Sequence, residues 1–237
     1  MQFIAHTFNN LLSFIYPPRC LVCDILLPAF KDYTRCSSCS NILVSMEAPF
    51  CICGLPKNNC KGCGPHSFST NRSAFLYNGI IQDVIYKFKY GKKPFMAKGL
   101  VSLMVKEIGS EIFQNADIIA PIPIHKKRQR TRGFNQSALL AKEITNQLNL
   151  PPPKTILFRI KETKPLAGLT PLMRANILKD AFIINPKITV ANKTILLIDD
   201  IYTTGATLNA CAKHLYENGA KDVLGATIAV VETKSRS

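Results

Sequence analysis

The sequence predicts an α/β protein, a doubly wound parallel sheet with a cysteine-rich, metal-binding domain at its amino end. Three observations carry that reading. From residue 73 to residue 231 short apolar runs alternate with amphipathic stretches, the pattern of parallel strands joined by crossover helices. One of these runs, Ile195-Leu-Leu-Ile198, leads straight into Asp199-Asp200 and the turn Thr203-Thr-Gly-Ala-Thr207. Eight of the nine cysteines crowd between residues 20 and 63.

Residues 1–16 place Phe3, Ile4, Phe8, Leu11, Leu12 and Ile15 on one stripe of a short amphipathic helix, with neither the basic flank nor the cleavage site of an export signal. Residues 17–66 form the cysteine-rich domain. Cys20-x2-Cys23 and Cys36-x2-Cys39 have the spacing of a four-thiolate zinc knuckle, in which each pair sits on a tight turn and presents both sulfurs to one tetrahedral ion. Cys51-x-Cys53 and Cys60-x2-Cys63 repeat the idea with a shortened first pair. The two sets can hold one ion each or interleave. Without an export signal the thiols stay reduced, which argues against disulfides. Zinc with four thiolates has no open position for water, so its role here is structural. His66 is the one histidine placed to substitute for a ligand, and Cys211 reads as a small core residue.

Residues 67–237 carry the alternating pattern. Ser73–Tyr77 reads as a short strand, and Ile80–Tyr90 as a helix with Ile81, Val84, Ile85 and Phe88 on one face, stopped by Gly91. Pro94–Phe113 reads as one longer helix carrying Met96, Leu100, Leu103, Met104 and Ile112. Asp117–Pro123 reads as a buried strand that runs into a cationic loop, His125 to Gln136, bearing Lys126, Lys127, Arg128, Arg130 and Arg132. The apolar run at Ile195 fits a strand buried on both faces. A helix follows, with apolar positions 208, 211, 212 and 215, and ends at Asn218-Gly219. Val223–Val231 is the last strand.

Ligands of open α/β sheets bind at the carboxyl ends of the strands, where Asp199 and Asp200 fall. The turn after them, at a helix N-terminus, offers backbone N–H groups to a phosphate. A carboxylate pair repels that phosphate and so must take hydroxyls or a cation. Together they describe a ribose 5-phosphate. A nucleotide triphosphatase would need a G-x-x-x-x-G-K-[ST] loop, which the chain lacks. In a doubly wound sheet the cationic loop lies beside the same strand end, where Arg128 and Arg132 suit a pyrophosphate group.

The chain has 237 residues, long enough for one medium domain and an appendage, and is 47% apolar, which excludes a disordered protein. Thirty basic residues against 15 acidic ones give a net charge of +15, which points to a polyanionic partner. Between Lys87 and Arg132 eleven cations face three acidic residues, with Phe88, Tyr90, Phe95 and Phe134 interleaved, a composition suited to single-stranded nucleic acid; Lys87, Lys89, Lys126, Lys127 and Arg130 are the candidates for phosphate contact. No stretch approaches the ~20 apolar residues of a membrane span. These features predict a cytoplasmic protein, with peripheral contact to the inner membrane open to it.

The stretch from Ile195 to Thr207 resembles the signature of the type I phosphoribosyltransferases, which use 5-phosphoribosyl 1-diphosphate with Mg²⁺. That resemblance implies that Asp199 and Asp200 hold the ribose hydroxyls and that Thr203, Thr204, Gly205, Ala206 and Thr207 cradle the 5′-phosphate. Over the whole chain, the order of cysteine ribbon, Tyr86-Lys-Phe-Lys-Tyr-Gly91, Pro121-Ile-Pro123, Arg132-Gly-Phe-Asn-Gln136, Arg174-x-Asn176 with Ala181-Phe182, and the acidic turn resembles the ComF/GntX family, often called ComFC. The family implies a zinc ribbon, a role in natural transformation, single-stranded DNA and the DNA-uptake proteins as partners, and Arg132 at the phosphoribosyl site. The competing expectation is a phosphoribosyltransferase of nucleotide or base metabolism with no part in DNA uptake; the sequence names neither an acceptor nor a general base. The chain departs from the family at Cys51-Ile-Cys53, one residue short, and at Leu166, where Gln is usual.

Overall fold

The computed structural model describes residues 19–27, 34–40, 43, 46–60, 63, 66–162, 177–178 and 180–232. The expected helix over 1–16, Leu166, and the Arg174-x-Asn176 motif lie outside them. The described elements are α1 (Ser37–Ser40), β1 (Thr70–Leu76), α2 (Gly79–Tyr90), α3 (Met96–Ile108), α4 (Glu111–Gln114), β2 (Ile118–Pro121), α5 (Lys126–Arg132), α6 (Gln136–Gln147), β3 (Leu157–Arg159), β4 (Phe182–Ile184), β5 (Thr194–Tyr202), α7 (Ala206–Glu217) and β6 (Asp222–Val230).

The predicted parallel sheet is there, with β1, β6, β5 and β2 as neighbours in that order and every pairing parallel. Its two faces divide the apolar run of β5 by the two-residue period of a strand. Leu196 and Ile198 face one core with α2, α3 and α6, while Ile195 and Leu197 face another with α7, Phe182 and Leu55. All four are fully buried, so Leu196→Ala or Leu197→Ala would each cost about 2–5 kcal/mol. Gly225 on β6 keeps α7 close to the sheet, since a Cβ there would lie 2.6 Å from Leu208 Cδ2 and 2.7 Å from Asn71 Oδ1.

Three sequence expectations need correction. β1 begins at Thr70 rather than Ser73, because its first half buries polar Asn71 and Ser73 and so gives no apolar signal. The single helix over Pro94–Phe113 breaks at Gly109, whose φ of 88° ends α3 with a backbone bond to Val105 O before α4 starts. The cationic loop is largely the helix α5: Lys, Arg and Gln are good helix formers, the His125 side chain accepts from Lys127 N, and Gly133 at φ 88° ends the segment. No α5 residue is buried, so the apolar periodicity that marks helices was absent. The β3–β4 pair, antiparallel and apart from the main sheet, was not expected.

Both cysteine clusters pack on the sheet domain, at different places. Near the first, Leu21 meets α3 at Gly99, Lys87 Nζ donates to Val22 O at 2.9 Å, and Lys93 pairs with Asp24 at 2.9 Å. Near the second, β1 is an edge strand whose Asn71 N–H is taken by Ile52 O at 2.7 Å, and Arg72 lies 5.5 Å over the Phe50 ring. Among the described residues no helix is long and apolar enough to cross a membrane.

Candidate functional site

The acidic pair lies where β5 runs out of its apolar stretch. The β2 end lies alongside, with Pro121 opposite Ile198, as the sequence reading required. Asp199, Thr203, Gly205 and Thr207 line a shallow cleft together with Ile122, Tyr202 and Thr227. Gly205 stands at φ 73° immediately before α7, a left-handed conformation that glycine adopts without strain. A side chain there would also run into the Tyr202 ring. Ala206 opens α7, a 12-residue helix, so its first N–H groups face the cleft mouth. Two hydroxyls by the turn, Tyr202 OH and Thr204 Oγ1, are buried with no hydrogen-bond partner among the described residues. A bound oxyanion would satisfy such groups.

The carboxylates are held differently. Asp199 Oδ1 accepts from Ser137 Oγ and from Asp200 N, both at 2.9 Å. Burial, and next the charge of Asp200, push the Asp199 carboxyl up to about 7, against weaker opposition from Lys89 and the Ser137 bond. Asp200 Oδ2 meets Lys89 Nζ at 2.6 Å, an ion pair with 18% and 10% side-chain exposure. Lys89 comes from α2, which is distant from β5 in the sequence and packs on one of its faces, and it acts as counter-ion to the acidic pair.

Ser137 reaches Asp199 because of the Arg132-Gly-Phe-Asn-Gln136 motif. Asn135 caps α6 by accepting from Ser137 N at 3.0 Å and donates to Ile122 O at 3.1 Å, tying the helix to the end of β2. Phe134 packs on Phe88 at 5.9 Å between ring centres. The motif is thus a joint that fixes the hydroxyl beside the carboxylate.

The basic residues divide into three groups. Arg128 lies near Arg159 of β3, whose pKa is lowered by burial and then by the Arg128 charge, while Asp199 acts the other way. Arg159 is therefore within electrostatic reach of both Arg128 and Asp199. Arg132 lies on Tyr90, with its guanidinium 4.9 Å from the ring centre and Nη2 donating to Tyr90 OH at 3.1 Å. Lys126, Lys127 and Arg130 are exposed on α5, Lys127 paired with Glu162 at 3.1 Å. Lys87 and Lys89 are committed to Val22 O and Asp200, which removes them from the solvent-facing track expected of nucleic-acid contacts. Of the four interleaved aromatics, Phe88 is core, Phe134 packs against it, and Tyr90 and Phe95 are exposed at 58% and 64%. Tyr86, which opens the Tyr86–Gly91 motif, packs at a tilt against Tyr90 with 5.0 Å between ring centres.

Each cysteine set comes together on its own rather than interleaving. In each, all four sulfurs lie within 4.8 Å of one another. Cys23 and Cys36 are 3.7 Å apart, Cys51 and Cys63 3.4 Å, Cys53 and Cys60 3.7 Å. A tetrahedron of ~2.3 Å metal–sulfur bonds needs about 3.8 Å between sulfurs, so both sets fit one ion each. The short Cys51-Ile-Cys53 pair does not prevent this. Although burial opposes it, backbone N–H groups of Cys23, Cys36 and Val22 bring Cys20 down to about 6, and the Cys53 backbone leads those that bring Cys51 down to about 7. Burial, then neighbouring sulfurs, push Cys39 up to about 12 and Cys63 up to about 11. Cys20 and Cys51 therefore form thiolates readily, whereas Cys39 and Cys63 await a cation. His66 is outside both sets and stacks on Phe68 at 4.7 Å.

Comparison with known proteins agrees with this layout. The family model described as phosphoribosyl transferase domain matches residues 135–236. The chain is similar to competence protein F of Haemophilus influenzae, 27% identical over 217 residues, covering 86% of this chain and 93% of the relative. It is 27% identical over 217 residues to DNA utilization protein YhgH of Salmonella typhimurium, covering 87% and 94%. It is 26% identical over 222 residues to competence protein ComFC of Bacillus subtilis, covering 84% and 89%.

Proposed function

We propose that the chain, which is similar to competence protein F, YhgH and ComFC over most of its length and matches the phosphoribosyl transferase domain over residues 135–236, shares their family, binds 5-phosphoribosyl 1-diphosphate with Mg²⁺ and handles single-stranded DNA in natural transformation. The observation that carries the ligand is the acidic pair beside a turn with two buried, unpartnered hydroxyls, Tyr202 and Thr204. Asp199 and Asp200 would take the ribose hydroxyls, residues 203–207 the 5′-phosphate, and Arg128 and Arg132, joined by Arg159, the pyrophosphate. Mg²⁺, when bound, neutralises the diphosphate. Lys89 must leave Asp200 as the sugar enters, and it is then free to meet the same negative groups. The carboxylates are also placed to stabilise the positive charge that develops on a ribose ring as pyrophosphate departs.

The single-strand reading is supported by the exposed rings of Tyr86 and Tyr90 beside the solvent-facing cations of α5. Aromatic faces take bases without sequence preference, and the cations track the backbone. The two cysteine sets are structural zinc sites in this reading, and residues 17–66 a double zinc-ribbon domain ahead of the phosphoribosyl-binding one. The protein acts in the cytoplasm with the DNA-uptake proteins as partners.

The test is a pair of titrations. Calorimetry with the diphosphate donor and Mg²⁺ should show binding that the Asp199→Asn, Asp200→Asn double variant weakens at least about tenfold. Single-stranded DNA should bind with a salt slope of about −0.7 per phosphate neutralised, made shallower by replacing Lys126, Lys127 and Arg130 with Ala. Normal transformation in a deletion strain of a competent bacterium would refute the role in uptake.

A further inference from the structure

The second cysteine cluster touches the ligand turn by two separate routes. The first is aromatic. Tyr202 is the last residue of β5 and 4% exposed; its ring lies under Gly205, where any side chain would collide with it. Phe68 meets that ring edge-on at 6.1 Å, and His66 at 6.5 Å. Cys53, Leu55, Phe68, Tyr202 and Ala206 belong to one buried core, with Cys51, Cys60 and Cys63 packed against it.

The second route is a buried chain of hydrogen bonds. Asn71 Nδ2 donates to Cys53 O at 3.1 Å and to Ser73 Oγ at 3.0 Å. Ser73 Oγ is 2.6 Å from Thr227 Oγ1, and Thr227 stands opposite Asp199 in the sheet and lines the cleft. All three side chains are buried. Polar groups in a low-dielectric core are costly when unpaired, so a break at Cys53 is felt at Thr227. Gly54 keeps the join tight, since a Cβ there would be 2.8 Å from Asn71 Nδ2.

We propose that the metal ion held by Cys51, Cys53, Cys60 and Cys63 positions the 203–207 turn, with Tyr202 and Asn71 as the positioning residues, so that ion occupancy and affinity for a phosphorylated ribose are coupled. The inference rests on the reading of that turn as the phosphate site. Among the described residues the contacts of the first cluster run instead to α2 and α3. The coupling is reciprocal: a ligand that orders the turn must raise the affinity for this ion and not for the other.

The test is amide hydrogen exchange on the metal-loaded full chain, with metal content measured in parallel. Cys63→Ser should lose one ion and speed exchange at 203–207 by about tenfold, whereas Cys23→Ser should lose the other ion and leave the turn as in the wild type. Tyr202→Leu should keep both ions and loosen the turn as Cys63→Ser does; Tyr202→Phe, which keeps the ring, should restore it. This pair decides the matter even where Cys63→Ser fails to fold. Wild-type exchange at 203–207 in Tyr202→Leu, or equal loosening by both cysteine variants, would overturn the coupling. A turn that responds as described in a protein that binds no 5-phosphoribosyl 1-diphosphate would instead overturn the ligand assignment and leave the coupling in place.

Discussion

The two cysteine clusters have the same four sulfurs and different surroundings. The first has a small core of its own, Cys20, Leu27 and Cys39 with Val22 and Cys36 against it, and Cys23 is exposed. The second has no separate core; Cys53 and Leu55, both fully buried, belong to the core that fills one face of the sheet. The first is therefore a module fastened to α2 and α3 by Leu21, Lys87 and Lys93, whereas the second is part of the domain that carries the acidic turn. A ribbon of this size buries too little surface to fold alone, so on the proposed reading each set depends on a metal ion and the second passes that dependence to the sheet.

That contrast can be broken or sharpened by substitution, beginning with the largest effect. Cys53→Ser should lower stability by more than ~4 kcal/mol, because it removes an ion and disturbs the sheet core together, while Cys23→Ser should cost about 2 kcal/mol, the worth of Leu21's burial. Chemical denaturation of the metal-loaded proteins measures both, and equal losses would erase the distinction. Asn71→Ala should cost about 2–3 kcal/mol by leaving Cys53 O and Ser73 without their buried donor, without loss of either ion. Lys87→Met, which removes the bond to Val22 O at the first cluster, should cost about 1 kcal/mol and leave the ligand turn unaffected.

A pH experiment sharpens the account of the acidic turn. The Asp199 carboxyl, raised from 3.8 to about 7, binds its proton more tightly in the folded chain. Its contribution to stability is fully present below 3.8 and is lost as pH rises through about 7. Asp199→Asn cannot ionise, so its stability relative to the wild type should increase between those values and level off above. Denaturation midpoints at pH 4 and pH 8 check the sign. In the wild type, affinity for the diphosphate donor should weaken as pH falls below about 7, because the proton competes with the ligand.

Where the sequence was legible, one physical signal dominated. β5 is buried on both faces, so Ile195 to Ile198 are all apolar and their end is unmistakable; α2 is amphipathic, so Ile81, Val84, Ile85 and Phe88 appear at helical spacing. The cysteine spacings similarly state which sulfurs share a turn. What could not be read depends on contacts between distant segments or on polar residues turned inward. Lys89 looks like any surface cation until α2 packs and brings it to Asp200. Arg159 sits on a three-residue strand with no periodicity to mark it, and Asn71 and Ser73 are polar residues in a buried strand. Ser137 was within reach of inference, since it follows the Asn that caps its helix beside the carboxyl end of β2.

The most direct measurement of the central claim is a crystal structure of the metal-loaded protein with 5-phosphoribosyl 1-diphosphate and Mg²⁺. The expected result is the 5′-phosphate on residues 203–207, the ribose hydroxyls on Asp199 and Asp200, and Lys89 Nζ drawn away from its 2.6 Å contact with Asp200. A donor bound to the cations of α5, with the turn vacant and the Lys89–Asp200 pair intact, would contradict it.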